Sequence, residues 1–277
     1  MTTTRTARET YPGRGATSLR VVGARGAVSR PPVVALVLAH NEEEALPGVL
    51  SELARVCPGW SVVVVSDGST DGTGACARRS GAALLQLPYN AGVAAAEQTG
   101  FLYARSLGAS VVVRVDGDGQ HPAAEARRVV AALGESGADV VVGSRFLRPG
   151  GYRSTFARRA GIRWLSFLLR LLGGLRIADP TSGLRAFGGR AIALLSRVYP
   201  HGYPEPESNL LLGRAGLRIE EVPVTMRARD GGRSSLRGWR TVYYPLKVSF
   251  ALLVEALRRS RTASVGTGAG ARAVRAC

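Results

Sequence analysis

Short valine-rich runs alternate with longer stretches of mixed apolar and polar residues from residue 33 onward. The runs predict buried strands, which we place at residues 33–39, 61–66, 83–87, 110–115 and 139–143. Between them, apolar residues recur at the helical spacing and predict helices that end near residues 56, 80, 107 and 135. Because strands joined by helical crossovers form parallel sheets, the pattern predicts an α/β fold with a largely parallel sheet flanked by helices.

Beyond residue 150 the pattern is less regular, and two amphipathic helices stand out. The first covers about residues 156–172 and carries Arg158, Arg159, Arg163 and Arg170. The second covers residues 243–257 and is strongly apolar, but it contains Lys247 and Glu255 and is shorter than the roughly 20 residues that span a bilayer. Two interpretations stay open for these helices: packing against the core, or contact with an anionic bilayer.

The chain divides into four parts by composition. Residues 1–32 and 259–277 are rich in arginine, glycine, alanine and threonine without apolar periodicity, and we expect both to be disordered basic segments. Residues 33–236 form the predicted α/β domain, and residues 237–258 contain the apolar C-terminal helix. The first segment lacks the apolar run of a secretory signal, so we expect a cytoplasmic protein, with peripheral contact to the cytoplasmic membrane face left open.

Polar residues follow several of the predicted strands at the point where each strand ends. Asp116 and Asp118 stand one residue apart after a buried strand, and Asp67 follows the strand at 61–66. In open parallel sheets ligands bind beyond the carboxyl ends of the strands, so these side chains are expected to converge. Two carboxylates on a turn can hold Mg²⁺ or Mn²⁺ against a diphosphate, and Asp67 can accept hydrogen bonds from a nucleobase. An ordinary solvated turn and a helix-capping Asx-turn are the respective alternatives.

The charge of the chain narrows its partners only in class. The 277 residues carry a net charge of +17, almost wholly from arginine, since Lys247 is the only lysine. A basic field attracts phosphate-bearing substrates, anionic membranes and nucleic acid alike. Because no recognised nucleic-acid motif or interleaved aromatic pattern accompanies the arginines, we expect no nucleic-acid partner. Cys57, Cys76 and Cys277 lack metal or disulfide spacing, which fits a reducing compartment.

Five segments carry chemistry-bearing residues in a fixed order along the chain. They are Leu38-Ala39-His40-Asn41-Glu42, Val65-Ser66-Asp67-Gly68-Ser69-Thr70-Asp71, Asp116-Gly117-Asp118-Gly119-Gln120-His121-Pro122, Gly143-Ser144-Arg145-Phe146 and Asp179-Pro180-Thr181-Ser182-Gly183-Leu184-Arg185. Taken in order, these segments resemble the family 2 glycosyltransferases of GT-A fold, particularly the branch similar to dolichol-phosphate-mannose synthase. The resemblance covers about residues 33–236.

The resemblance implies roles for individual residues. Asp116 and Asp118 would hold the metal, Asp118 would also take part in catalysis, and Glu207 would act as catalytic base, with Glu205 behind it. The donor would be bound by Ala39, Asn41, Glu42, Asp67, Asp116, Arg227, Arg229, Arg233 and Ser234, the last four on a loop that closes over the diphosphate. The acceptor would be contacted by Arg145, Asp179, Thr181, Ser182 and Arg185. Plainer interpretations remain: helix-starting acids for Glu205 and Glu207, and structural ion pairs for Arg145 and Arg185.

The resemblance therefore implies an enzyme of the hexosyltransferase type that uses Mg²⁺ or Mn²⁺. It would move a sugar, with inversion, from a nucleotide-diphosphate sugar to a lipid-linked, polyprenyl-phosphate-like acceptor. A soluble small-molecule or natural-product acceptor is the main alternative, and a nucleic-acid-binding protein is a remote one. A nucleotidyltransferase is disfavoured because acids follow Asn41, where that class has a glycine-rich basic loop.

Overall fold

The computed structural model describes residues 20–22, 32–147, 155–200, 202–227 and 240–257. Within them, one sheet has the strand order β1-β4-β3-β2-β5-β7-β6-β8. The strands are β1 Arg20–Val22, β2 Val33–Ala39, β3 Ser61–Ser66, β4 Ala83–Gln86, β5 Val111–Asp116, β6 Val140–Ser144, β7 Arg185–Gly188 and β8 Ile219–Pro223. The helices are α1 Leu46–Val56, α2 Thr73–Arg79, α3 Val93–Ser106, α4 Ala123–Ser136, α5 Phe156–Gly173, α6 Gly189–Leu195, α7 Pro204–Arg214 and α8 Arg240–Leu257.

The centre of the sheet is parallel. Strand β2 pairs in parallel with β3 and β5, β3 with β4, and β6 with β8. Strand β7 lies antiparallel between β5 and β6, so those two strands again point the same way. The carboxyl ends of β2, β3, β5 and β6 therefore share one edge of the sheet, which is where an open α/β sheet binds its ligands.

Alternation along β2 shows how the sheet is buried on both faces. Val34, Leu36 and Leu38 belong to a core cluster that includes α3 and α6, whereas Ala35 and Val37 belong to a cluster that includes α1 and α4. Successive side chains of a strand point to opposite faces, so a strand covered on both sides must be apolar throughout. A third cluster joins α5, α7 and α8, and it contains Leu165, Leu168, Leu169, Leu210, Val248 and Leu252.

The predicted α/β fold is confirmed, with local corrections. The first of these concerns residues 1–32, because Arg20–Val22 forms an edge strand paired antiparallel with β4, where two valines next to an unpaired edge favour extended pairing. The second concerns Asn41, which with the acids that follow it is typical of a helix start, whereas α1 begins at Leu46. Asn41 has φ +54°, and its side-chain oxygen accepts from the Thr70 amide at 2.8 Å, so it joins two loops instead of capping a helix.

The two amphipathic helices are present, as α5 and α8. Among the described residues, no helix combines the length and the apolar character needed to cross a bilayer. Residues 259–277 lie outside the described residues, as do Arg229, Arg233 and Ser234 of the loop predicted to close over the diphosphate.

Candidate active site

Backbone hydrogen bonds join the loops at the carboxyl edge of the sheet. The Asp67 amide donates to the Ala39 carbonyl at 2.9 Å, and the Gly117 amide donates to the Leu38 carbonyl at 2.8 Å. These bonds extend the parallel pairing of β2 with β3 and β5 by one residue on each side. The loops that carry Asn41, Asp67 and Asp116 are therefore neighbours, as the sequence predicts.

The carboxylate of Asp67 is buried and organises the loop before α3. One oxygen accepts from the Ala91 amide at 2.7 Å and the other from the Gly92 amide at 2.9 Å. Gly92 is the N-cap of α3, so the negative charge lies at the positive end of that helix. Each carboxylate oxygen has a second lone pair, so these bonds leave acceptor capacity that a nucleobase donor could use.

The loops after β2 and β3 hold each other through side-chain to backbone bonds. The Asn41 amide donates to Ser69 Oγ at 3.1 Å, and the Glu42 amide donates to Thr73 Oγ1 at 2.8 Å. Ala39 is only 4% exposed, so it can contribute to a pocket mainly through its backbone. Three of the predicted donor-binding residues, Ala39, Asn41 and Glu42, thus each hydrogen-bond to a residue of the segment from Asp67 to Thr73.

The loop after β5 carries the two candidate metal-binding carboxylates. The Asp116 amide donates to His121 Nδ1 at 3.1 Å, which places the proton of a neutral imidazole on Nε2, 3.8 Å from Asp116 Oδ2. Burial lowers the pKa of His121 and favours this neutral form. One oxygen of the buried Asp118 accepts from the Gln120 amide at 3.1 Å.

Two hard oxygen donors on one turn fit Mg²⁺ or Mn²⁺, which commonly take one or two carboxylates and complete their shell with substrate phosphates and water. Within the described part of the chain, no group of three or more His, Cys, Asp or Glu side chains could hold a metal ion.

A buried arginine beneath this loop was missed by the sequence analysis. Arg114 lies in β5, and its Nη1 contacts Glu97 Oε2 at 3.0 Å and Glu205 Oε1 at 2.8 Å, while its Nη2 contacts Asp116 Oδ1 at 3.3 Å. Tyr199 hydrogen-bonds to Glu97 from the other side. A single arginine inside an otherwise valine-rich strand was the available signal, because such a charge must find partners when buried.

Glu205 and Glu207, on the first turn of α7, have different surroundings. Glu205 shares the Arg114 guanidinium with Asp116, which places it at the acid cluster. Glu207 is buried, and its carboxylate accepts from the amide of Tyr203, the N-cap of its own helix, at 2.5 Å. This contact of Glu207 agrees with the plainer interpretation of Glu207 as an acid at the start of a helix. Glu205 is the acid that the described contacts connect to Asp116.

The acceptor-side residues form a closely hydrogen-bonded segment. Arg145 pairs with Asp179 and also donates to Thr181 Oγ1 at 2.8 Å, while Ser182 Oγ donates to the Gly143 carbonyl at 2.6 Å. The predicted structural ion pair is thus present for Arg145.

Arg185 is 1% exposed, and within the described residues it does not form the structural ion pair with an aspartate that was considered for it. Its guanidinium donates to the carbonyls of Ser182, Glu205 and Pro180, and to Ser208 and Asn209. It joins β7 to α7 from inside the protein. Direct contact between Arg185 and an acceptor would require this packing to open.

Of the predicted diphosphate-binding residues, only Arg227 is described. Its guanidinium makes two bonds to the Glu52 carboxylate on α1, at 2.7 and 2.9 Å, and its amide donates to the Gln120 carbonyl at 3.0 Å. The backbone of this segment therefore lies against the Asp118 loop, although the side chain is directed to α1. Arg229, Arg233 and Ser234 lie outside the described residues.

Comparison with known proteins agrees with the fold. A family model described as glycosyl transferase family 2 matches residues 35–192. The polyprenol monophosphomannose synthase of Mycolicibacterium smegmatis is 34% identical over 226 residues, which cover 76% of this chain and 84% of that protein. The undecaprenyl-phosphate mannosyltransferase of Micrococcus luteus is 34% identical over 217 residues, covering 74% and 88%.

Among solved structures, the glucosyl-3-phosphoglycerate synthase of Mycobacterium tuberculosis, crystallised with Mn²⁺, UDP-glucose and phosphoglyceric acid, has a TM-score of 0.62. It is 22% identical, with 82% of this chain and 80% of that chain covered. That likeness supports the GT-A fold. The sheet and the sequence matches define a glycosyltransferase of GT-A fold, and the chain belongs to glycosyl transferase family 2.

Proposed function

We propose that this glycosyltransferase moves a hexose from a nucleoside diphosphate donor to a polyprenyl phosphate at a membrane surface, with a divalent metal at Asp116 and Asp118. The observation that carries the proposal is the convergence of Asp67, Asp116 and Asp118 at one sheet edge. The names of the two 34% identical relatives support the acceptor class, since both specify a polyprenol or undecaprenyl phosphate product or acceptor.

Donor binding follows from the chemistry of the edge. Asp67 and the backbone at Ala39 and Asn41 would receive the nucleoside, and Asp116 and Asp118 would face its diphosphate. A bound Mg²⁺ or Mn²⁺ would supply positive charge against the negative charge of the departing nucleoside diphosphate. Asp118 is held by the Gln120 amide, and Asp116 is held by Arg114, so both carboxylates are oriented before a ligand arrives.

The nature of the acceptor determines how much a base matters. A phosphate acceptor is already anionic at neutral pH, so its oxygen can attack the anomeric carbon, with the inversion that the family implies, without first losing a proton. A soluble alcohol would require a carboxylate within hydrogen-bond reach. The contacts favour Glu205 over Glu207 for that task, because Glu207 accepts from its own helix N-cap.

The first test is calorimetric binding of UDP and GDP with and without Mn²⁺ or Mg²⁺, on the native chain and on Asp118→Asn. We expect one diphosphate to bind only with metal and Asp118→Asn to weaken it by at least about tenfold, which corresponds to 1.4 kcal/mol. Glu135→Gln, at the exposed far end of α4, is the matched control and should bind normally. If neither diphosphate binds with any metal, the donor assignment is wrong.

The second test separates the acceptor classes. Transfer of labelled sugar is measured onto a short-chain polyprenyl phosphate, the corresponding polyprenol and soluble alcohols. Turnover with the phosphate, but not with the free alcohols, supports the proposal. Turnover on soluble alcohols that falls in Glu205→Gln would instead support the small-molecule alternative.

A further inference from the structure

The outer side of α5 carries an apolar stripe that the described protein leaves uncovered. Phe156, Trp164, Phe167 and Leu171 are 79%, 47%, 53% and 66% exposed. At about 100° per residue, these four side chains fall within about 80° of the helix circumference. Single exposed apolar residues are ordinary on protein surfaces, but a contiguous stripe of large ones marks an interaction site.

A row of arginines runs beside that stripe. Arg159, Arg163 and Arg170 are exposed and fall within about 40° of one another on the same helical projection. The opposite face of α5 is buried in the core through Ile162, Leu165, Leu168 and Leu169. The helix thus packs one face against the core and exposes an apolar face and a cationic face. Its sequence contains no acidic residue.

Helix α8 extends the apolar surface. Its exposed residues Leu246, Phe250, Leu253 and Leu257 follow the spacing of a single helix face and are 63%, 71%, 46% and 84% exposed. Val248 and Leu252 face inward to the cluster shared with α5. Trp164 Nε1 donates to Ser249 Oγ at 2.9 Å, so the two helices present one continuous surface, which we call the α5–α8 face.

Aromatic and guanidinium groups meet at a shallow hollow within this face. Phe156, Trp164 and Phe167 line it together with Arg159 and Arg163. Apolar rings beside guanidinium groups match the boundary between lipid headgroups and acyl chains, where phosphate and hydrocarbon lie within a few ångströms of each other. A partner protein would need an equally apolar and acidic surface.

We propose that the α5–α8 face docks on an anionic lipid bilayer, with its apolar stripe in the acyl boundary and the arginine row on lipid phosphates. The charge and the helical arrangement are those of helices that lie in the membrane interface. Vesicle binding by this face is independent of sugar transfer, and only its purpose, to bring the site to a lipid-linked acceptor, rests on the proposed function.

The chain connects this face to the site directly. Helix α5 lies between Arg145 and Asp179 in the sequence. The ion pair of those two residues joins the ends of the segment that contains α5, at the carboxyl edge of the sheet. A bilayer that holds α5 would therefore also hold the segment that carries Thr181 and Ser182.

The test is co-sedimentation of the full chain with vesicles that contain no polyprenyl phosphate. Vesicles of phosphatidylcholine alone are compared with vesicles that also contain phosphatidylglycerol. We expect Phe167→Ser/Phe250→Ser to weaken binding to the anionic vesicles by about tenfold or more, since each phenylalanine loses apolar burial. Arg163→Gln/Arg170→Gln should weaken it by about fivefold per arginine at low salt and less at high salt.

Matched controls lie on other surfaces of the protein. Leu102→Ser on α3 and Arg128→Gln on α4 remove an exposed apolar group and an exposed arginine away from this face, and both should bind as the native chain does. Equal loss in the control and test variants would overturn the assignment, because general charge or hydrophobicity would then explain the binding.

Two further readouts distinguish other occupants and other failures. Brominated lipids should quench the fluorescence of the native chain more than that of Trp164→Phe, and equal quenching would contradict insertion. If light scattering shows a lipid-free dimer that Phe167→Ser/Phe250→Ser dissociates, the face is an interface between two copies and the proposal is wrong. Nucleotide binding, measured separately without vesicles, reports on the proposed function and leaves this result unaffected.

Discussion

Arg145 and Asp179 form a two-pronged ion pair in which Nε and Nη2 of the arginine each lie 2.7 Å from a carboxylate oxygen. The two residues are separated along the chain by α5, so the pair closes the segment that leaves the sheet after β6 and returns before β7. The Arg145 side chain is 9% exposed and that of Asp179 is fully buried. The pair thus fixes the predicted acceptor-side loop to the sheet edge.

Asp179→Asn should destabilise the protein strongly, because it leaves a buried guanidinium without its compensating charge. A loss of about 3 to 5 kcal/mol in the free energy of unfolding is expected for breaking a buried pair by removal of one partner. The measurement is urea denaturation at neutral pH. Arg190→Ala, which breaks the exposed pair with Asp139, is the control and should cost less than about 1 kcal/mol. Equal losses in the free energy of unfolding for the two variants would mean that solvent screens the Arg145–Asp179 pair as it screens a surface ion pair.

The sheet could be predicted because its signals are local. The run from Val33 to Ala39 is buried on both faces, and this produces an uninterrupted apolar stretch with turn residues at its end. By contrast, β7 is only four residues long and antiparallel, and its place between β5 and β6 depends on contacts distant in sequence. No periodicity in a four-residue segment could reveal that position.

The candidate acids could be found from the sequence, but the residues that contact and orient them could not. Asp67, Asp116 and Asp118 follow strands and are visible in the sequence, whereas the partners that orient them come from other elements. Arg114 connects Asp116 to Glu97 on α3 and to Glu205 on α7, across sequence separations that no local pattern records. The burial of Arg185 could not be predicted for a related reason, since it depends on how α7 packs against β7.

Arg114→Met should cost about 3 to 5 kcal/mol in the free energy of unfolding, because the buried Glu97 and the nearby Glu205 lose their shared cation. Burial already raises the pKa of Glu97, and Arg114 opposes that effect. In the double variant Arg114→Met/Glu97→Gln, the total cost should be smaller than the sum of the single costs by about 0.5 to 3 kcal/mol. Strict additivity would show that the two residues are not coupled.

The pH dependence of stability should have opposite signs at two glutamates. Burial raises the pKa of Glu221, which accepts from the Ala178 and Asp179 amides, whereas the hydrogen bond from Arg227 lowers the pKa of Glu52 against the opposing effect of burial. A raised folded-state pKa adds stability that is complete below the unfolded-state pKa. That stability is lost as pH rises through the folded-state pKa. A lowered folded-state pKa adds stability that is complete above the unfolded-state pKa. That stability is lost as pH falls through the folded-state pKa.

Comparison with glutamine variants isolates these contributions. As pH is lowered from 7 towards 5, the free energy of unfolding of the native chain should increase relative to that of Glu221→Gln. Towards still lower pH, the free energy of unfolding of the native chain should decrease relative to that of Glu52→Gln. The measurement is urea denaturation of all three proteins across this pH range. Parallel curves for the native chain and Glu221→Gln would contradict the raised pKa of Glu221.

Gly68→Ala should disrupt the nucleoside side of the site. Gly68 has φ +62°, and a Cβ there would lie 2.1 Å from the Tyr89 carbonyl carbon and 2.2 Å from the Asn90 amide nitrogen. Both atoms belong to the backbone, so the loop before α3 must move, and Asp67 must then lose its bonds to the Ala91 and Gly92 amides. Left-handed strain and overpacking together predict a loss of about 2 to 5 kcal/mol in stability.

Gly81→Ala separates the two causes in this prediction. Gly81 has φ +79° after α2, and no atom lies within 4 Å of a Cβ added there, so only the left-handed strain applies. Its cost should be about 1 to 2 kcal/mol, with donor diphosphate affinity unchanged. Gly68→Ala should exceed that cost and also weaken binding of the donor diphosphate, because the proposed nucleoside pocket shares its backbone with the displaced loop. Equal stability losses and equal affinities for the two variants would show that the close approach of this loop to Gly68 does not constrain the site.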